Sequence, residues 1–128
     1  MALAACVTRE PTPADIRAKR FEAVPDKAVI YLYRDRLDFS NNPASFMLDE
    51  QLQGASFRGT YFRFEVAPGR HRLDGYAADI GRLEFDTQAG KLYFIRHSVT
   101  RLLGFDRSYF QLVLPEYGRQ AVLQYELN

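Results

Sequence analysis

"AVIYLYR" (residues 28–34) decides how this chain is read. Successive strand residues point to opposite faces, so Val29, Tyr31 and Tyr33 share one face and Ile30 and Leu32 the other. Both faces are apolar, and a strand of that kind belongs in the middle of a sheet. Beyond it the chain runs as a series of short segments cut by turn formers. Residues 35–45 read as a polar loop. "FMLD" (46–49) and "LQGASF" (52–57) form a hairpin around Glu50-Gln51, a pair without the glycine that tight turns favour. "TYFRFEV" (60–66) alternates, with Phe62, Phe64 and Val66 inward and Tyr61, Arg63 and Glu65 outward. Pro68 and Gly69 make a turn in which proline presets φ and glycine supplies a positive φ. "HRLDGYA" (71–77), "GRLEFDT" (81–87), "LYFIRHSVTR" (92–101) and "SYFQLVLP" (108–115) complete the strands. The last segment, "EYGRQAVLQYEL", reads as a short helix, with a strand as the alternative because Gly118 weakens it.

Seven or eight short strands without ten-residue helices between them predict an all-β fold: a single antiparallel β-sandwich over residues 28–128, with a possible short C-terminal helix. Composition agrees. The 128 residues hold 10 Phe and 8 Tyr among 47% hydrophobic residues, enough for one core without staples. Residues 1–27 carry prolines and charges and read as a flexible tether. Thr12 and Pro13 in that tether have the look of a helix start, good for one or two turns.

The chemistry-bearing residues are few. Seventeen basic and sixteen acidic residues give a formal charge of +1, which supplies no field for nucleic acid. "RGTYFRF" (58–64) has the basic-aromatic look of a base-stacking strand, but the helices of that fold are missing from the sequence. His71 and His97 fall on different strands without a third ligand nearby, so neither metal nor cofactor is expected. Each is read as a structural histidine held by a backbone group. Asp35, Asp38, Asn41 and Asn42 offer oxygen ligands, opposed by Arg34 and Arg36 and lacking calcium-loop spacing. No catalytic residue is assigned, because no serine sits in a nucleophile elbow and Cys6 has no neighbouring histidine.

Three quoted pieces together resemble a bacterial family, the domain of unknown function 2846, which is often found in lipoproteins. They are "AVIYLYR", "LDEQLQGASFRGTYFRFEVAPGRHRL" (48–73) and "QAGKLYFIR" (88–96), within a likeness spanning roughly residues 28–126. The Pro-Gly-x-His-x-Leu piece is shared with PEGA-type sandwich domains. The resemblance implies a compact sandwich, with Pro68, Gly69 and His71 as structural turn and core residues, and it supplies no catalytic groups. Where relatives often carry Asp-Gly in the early hairpin, this chain has Asp49-Glu50.

The resemblance also gives "MALAAC" (1–6) a meaning. Leu3, Ala4, Ala5 and Cys6 resemble a lipobox, in which a peptidase cuts before a cysteine that carries a diacylglyceryl group. A signal peptide needs a basic start and an apolar stretch of about 7–15 residues, so this stretch is read as the remnant of a longer export signal. Val7 after the cysteine points to the outer membrane. The expected protein is a non-enzymatic, periplasm-facing lipoprotein of the bacterial envelope. It is held at the membrane through lipid on Cys6 and binds another protein or envelope component. Tyr61, Arg63, Arg107 and Tyr109 are the candidate interface, since tyrosine and arginine dominate interface hot spots. The alternatives are a carrier of a small apolar ligand or lipid in a cavity of the β fold and a hydrolase using a carboxylate pair.

Overall fold

The computed structural model describes residues 10–76 and 81–128. Two sheets face each other. The larger is built from β1 (Ala28–Arg34), β4 (Thr60–Val66), β7 (Leu92–Leu102), β8 (Phe105–Val113) and the short β9 (Glu126–Leu127), in the order β8-β7-β1-β4-β9. The smaller has β2 (Ala44–Leu48), β3 (Gln51–Ser56), β5 (Gly69–Gly75) and β6 (Arg82–Thr87), in the order β3-β2-β5-β6. β1 is central and buried along its whole length. Ile30 and Leu32 face the smaller sheet and pack with Phe46, Leu73, Phe85, Ile95 and Phe110. Phe62, Phe64 and Val66 join them from β4, inward as the alternation requires.

The sandwich is mixed rather than purely antiparallel, which corrects one expectation. β1 pairs antiparallel with β4 but parallel with β7, register Tyr31↔Phe94, and β9 runs parallel to β4. The cause lies in the path of the chain. It crosses to the smaller sheet after β1 and again after β4, and it comes back running in the direction of β1.

The tether expected over residues 1–27 is also corrected for its described part. Helix α1 (Pro13–Ala18) begins as the sequence predicts, with Thr12 Oγ1 accepting from the Asp15 amide at 3.1 Å. It does not stand free. The Tyr31 hydroxyl donates to the Ala18 carbonyl at 2.6 Å, and the Tyr61 hydroxyl donates to Asp15 Oδ1 at 2.5 Å. Lys19 Nζ donates to the Tyr125 carbonyl at 2.7 Å. Helix α2 (Pro115–Gln124) lies beside it, with Gly118 and Val122 turned to the sheet and Tyr125 following. Together they cover the outer face of the larger sheet and make a second core of Val29, Tyr31, Tyr33, Tyr61, Phe94 and Val122, with Phe21 and Val24 packed against it. A centroid separation of 5.1 Å stacks Tyr31 on Phe94. The described residues are thus three layers deep: helices, five strands, four strands.

Candidate functional site

β1 and β7 run in the same direction, so the loop leaving β1 and the tip of the β7–β8 hairpin emerge at one end of the sandwich. The β3–β4 turn joins them there, its Gly59 amide donating to the Arg34 carbonyl at 2.9 Å. This end concentrates exposed apolar side chains. Leu37 and Phe39 are 88% and 84% exposed, and Leu102, Leu103 and Phe105 are 65%, 88% and 66% exposed. Scattered single leucines are ordinary on a protein surface, whereas a cluster of this kind marks a place of contact.

The loop that carries Leu37 and Phe39 is held from beneath by Arg34, a fully buried arginine. Its Nε donates to Asp38 Oδ2 at 2.9 Å, and its other nitrogens reach the carbonyls of Asn42 (2.5 Å), Ser56 (3.0 Å) and Ser40 (2.5 Å). Asp38 Oδ2 also accepts the Val99 amide at 2.9 Å, which ties the loop to β7. A buried charge survives only when paired and hydrogen-bonded, and this guanidinium has a fork's worth of acceptors. The turns of the chain around Arg34 therefore have one closed arrangement, with Leu37 and Phe39 on its outside.

Beside Arg34 lies a second buried polar group, built on His97, whose serine partners sequence reasoning missed. His97 is completely buried, its Nδ1 2.8 Å from Ser56 Oγ and its Nε2 2.7 Å from Ser108 Oγ, and its ring stacks on Phe110 at 4.4 Å. Hydroxyls rather than the expected backbone group satisfy it. Burial, aided by the Arg34 charge, pushes its pKa down to about 3. Ser56 on β3 and Ser108 on β8 come together with it only through the fold, so no local spacing announces them. Serine and histidine in contact can form a nucleophile and base. Both serines are sealed from solvent as well, and the group as built clamps one sheet to the other.

The residues singled out from sequence are dispersed. Pro68, Gly69 and His71 lie at the opposite end, where Gly69 has φ +132°. His71 is half-buried, with Nε2 2.6 Å from the Ala67 carbonyl and Nδ1 2.6 Å from Asp49 Oδ2. The backbone partner was expected and the carboxylate was not. The early hairpin turns at Asp49-Glu50, one residue before the expected place, and both residues have positive φ (51° and 69°).

Tyr61 is wholly buried under α1, and burial, with Asp15 as second cause, drives its hydroxyl pKa far up. As a member of the candidate interface it is corrected. Its strand face is the outer one, as predicted, but that face is covered. Arg63 is half-buried and lies over the Tyr31 ring at 6.0 Å. Arg107 and Tyr109 are exposed on β8, close to the hairpin tip and apart from Arg63 by the width of β7 and β1. Leu3, Ala4, Ala5 and Cys6 lie outside the described residues.

A groove of about 650 Å³ runs along the base of the exposed loop, between Asp35, Phe39, Arg96 and Tyr125. It is open to solvent and lined with charge, unlike the enclosed apolar cavity a lipid carrier needs. Its hydrogen bonds are internal: the Tyr125 hydroxyl donates to Asp35 Oδ1 at 2.9 Å, and Arg96 donates to Gln111 Oε1 at 2.6 Å. Among the described residues no group of three or more His, Cys, Asp or Glu side chains could hold a metal ion. No described helix is long and apolar enough to cross a membrane.

No curated protein matches the chain at a significant level. A family model, described as a protein of unknown function (DUF2846), matches residues 25–104, from just before the central strand to the tip of the β7–β8 hairpin. That is more than half of the chain, and it includes both Arg34 and His97 at the exposed end. The chain belongs to the DUF2846 family.

Proposed function

We propose that this protein is a non-enzymatic module of the bacterial envelope, anchored by lipid on Cys6 and contacting an envelope component through the exposed apolar end of its sandwich. The observation that carries the reading is the placement of that end. Glu10, Pro11 and Thr12 line a second groove together with Arg36 and Tyr125, so Glu10 lies next to the loop on which Leu37 and Phe39 are exposed. An anchor four residues before Glu10 holds this end toward the membrane, because four extended residues span at most about 14 Å. The lipobox-like Leu3-Ala4-Ala5-Cys6 supplies the attachment point, and a chain with two acyl groups is held far more firmly than one with a single chain.

The anchor is tested by expressing the chain behind its native upstream coding sequence in a bacterium fed radiolabelled palmitate. The unaltered protein takes up label and the Cys6→Ala variant does not. Equal labelling of the two removes the anchor from the proposal.

A further inference from the structure

We infer that the β7–β8 hairpin tip is a bilayer-inserting element, so that the domain touches the membrane by its own surface as well as by its anchor. The inference rests on the anchored reading for its orientation only, since the insertion it describes needs no acyl chain.

The turn residue Leu103 is the central observation. Leu102 pairs with Phe105, which leaves Leu103-Gly104 as a two-residue turn with φ of 52° and 81°. A turn with both central residues at positive φ favours Asn-Gly or Asp-Gly. Leucine there is strained, and it is 88% exposed, so it gains nothing from the interior. A residue unfavourable to its turn and unfavourable in water serves something outside the fold. Its neighbours Leu102 and Phe105 are apolar and exposed too.

The surroundings fit a bilayer rather than a protein groove. β7 continues from Val99, where the β1–β2 loop is tied, for three more residues to Leu102. At about 3.3 Å per residue that is a projection of about 10 Å, the depth to which interfacial elements enter the headgroup–acyl boundary. Leu37 and Phe39 follow behind the tip. Arg101 and Arg107 flank the apolar tip, both exposed, with Asp106 opposite Arg101 across the ladder, while Arg36 turns back to the Gln124 carbonyl and the Tyr125 ring. Among the described residues no carboxylate forms an ion pair with either tip arginine. The two arginines outnumber the one carboxylate, so the tip keeps a net positive charge that complements anionic headgroups. Glu10 lies in a groove with Arg36 on the same side of the domain.

The chain contains no tryptophan, so one introduced indole reports on one place. The full chain is prepared with Cys6→Ser, hence without lipid, and carries either Leu103→Trp at the tip or Leu114→Trp at the opposite end of β8, where Leu114 is likewise 60% exposed. Each is mixed with vesicles of phosphatidylglycerol and phosphatidylethanolamine containing brominated chains. Insertion gives a blue shift and bromine quenching for Leu103→Trp and neither for Leu114→Trp. In flotation with the same vesicles, Leu103→Asn combined with Phe105→Gln lowers the partition coefficient at least tenfold. Asparagine suits the turn, so circular dichroism and thermal midpoint show a fold at least as stable.

Equal signals at the two positions, no quenching at either, or undiminished flotation of the double variant overturns the inference. So does a tip that drives self-association, seen as a concentration-dependent mass that Leu103→Asn abolishes, without vesicle binding. Failure here with palmitate labelling of Cys6 intact leaves the anchor standing. Success here with no labelling removes the anchor alone.

Discussion

Replacing Gly118 by alanine reverses the usual rule for helices. In an exposed helix interior the change stabilises by about 1 kcal/mol, because glycine pays more backbone entropy. Gly118 instead faces the sheet at the closest approach of α2 to β7. A Cβ there would fall within van der Waals overlap of Phe94 Cβ and Cγ, and 2.6 Å from Cδ1. Rotating the Phe94 ring moves Cγ's substituents but not Cβ, which is fixed by the pairing of Phe94 with Val113 and with Tyr31. The ring also has no room, since Phe94 is 1% exposed and stacked on Tyr31.

The helix must therefore retreat by about 1 Å, and a gap of that size forfeits a quarter to a half of the dispersion contact along it. Val122 and Tyr125, on the same helical face, lose contact together with Gly118. Overpacking of this kind costs about 1–3 kcal/mol, so after the propensity gain of about 1 kcal/mol the net loss is up to about 2 kcal/mol. Urea unfolding followed by circular dichroism measures it. In a Phe94→Ala background, where Cγ and Cδ1 are gone, the penalty of Gly118→Ala shrinks by about 1 kcal/mol or more, the size of coupling expected between touching residues. A Gly118→Ala protein more stable than the parent refutes the close approach of α2 to β7.

Two further outcomes come from the buried and strained groups. His97 has a folded-state pKa of about 3, below its unfolded value of about 6.5, so the unfolded chain binds more protons and stability falls as pH drops through that window. The slope is about 1.4 kcal/mol per pH unit. Its ring NMR signals stay in the neutral position at pH 4.5, and the slope between pH 6.5 and 4.5 is lost in His97→Asn; titration of the ring near pH 6 contradicts the burial. Glu50 sits at φ +69° with its side chain 78% exposed and a single partner, Arg72, at 3.2 Å. Left-handed backbone costs a non-glycine residue about 1–2 kcal/mol and an exposed ion pair returns less than about 1 kcal/mol, so Glu50→Gly raises the urea midpoint by the equivalent of about 0.5–1 kcal/mol; a lower midpoint contradicts that balance.

The line between what the sequence discloses and what it hides is a physical one. Alternation and turn residues announce the strands, because a half-buried strand must alternate and a reversal must satisfy its φ values locally. The double-sided apolarity of β1 is legible as well, and it demands a cover for Val29, Tyr31 and Tyr33. The cover itself is not recognisable beforehand. Residues 12–24 look polar because α1 buries only Asp15 and Ala18, and its docking is carried by tyrosine hydroxyls from strands far along the chain. Tyr61 reads as a surface residue for the same reason: the strand period tells which face a side chain takes, not what lies over that face. Of the exposed end the sequence discloses only Arg107 and Tyr109, since Leu37, Phe39 and Leu103 carry no periodic signal and become a group only when β1 and β7 are laid parallel.

Arg34 has a consequence for how members of such a family can diverge. Three of its four acceptors are main-chain carbonyls, at Ser40, Asn42 and Ser56, and every amino acid provides one. The loop's path is thus written in a buried cation and a single aspartate, with little dependence on the side chains along the loop itself. Substitution at positions 37 and 39 changes the chemistry shown to the outside while the scaffold beneath keeps its shape. Selection can re-dress this end of the domain residue by residue, provided the arginine at the end of β1 and the aspartate four residues on are kept together.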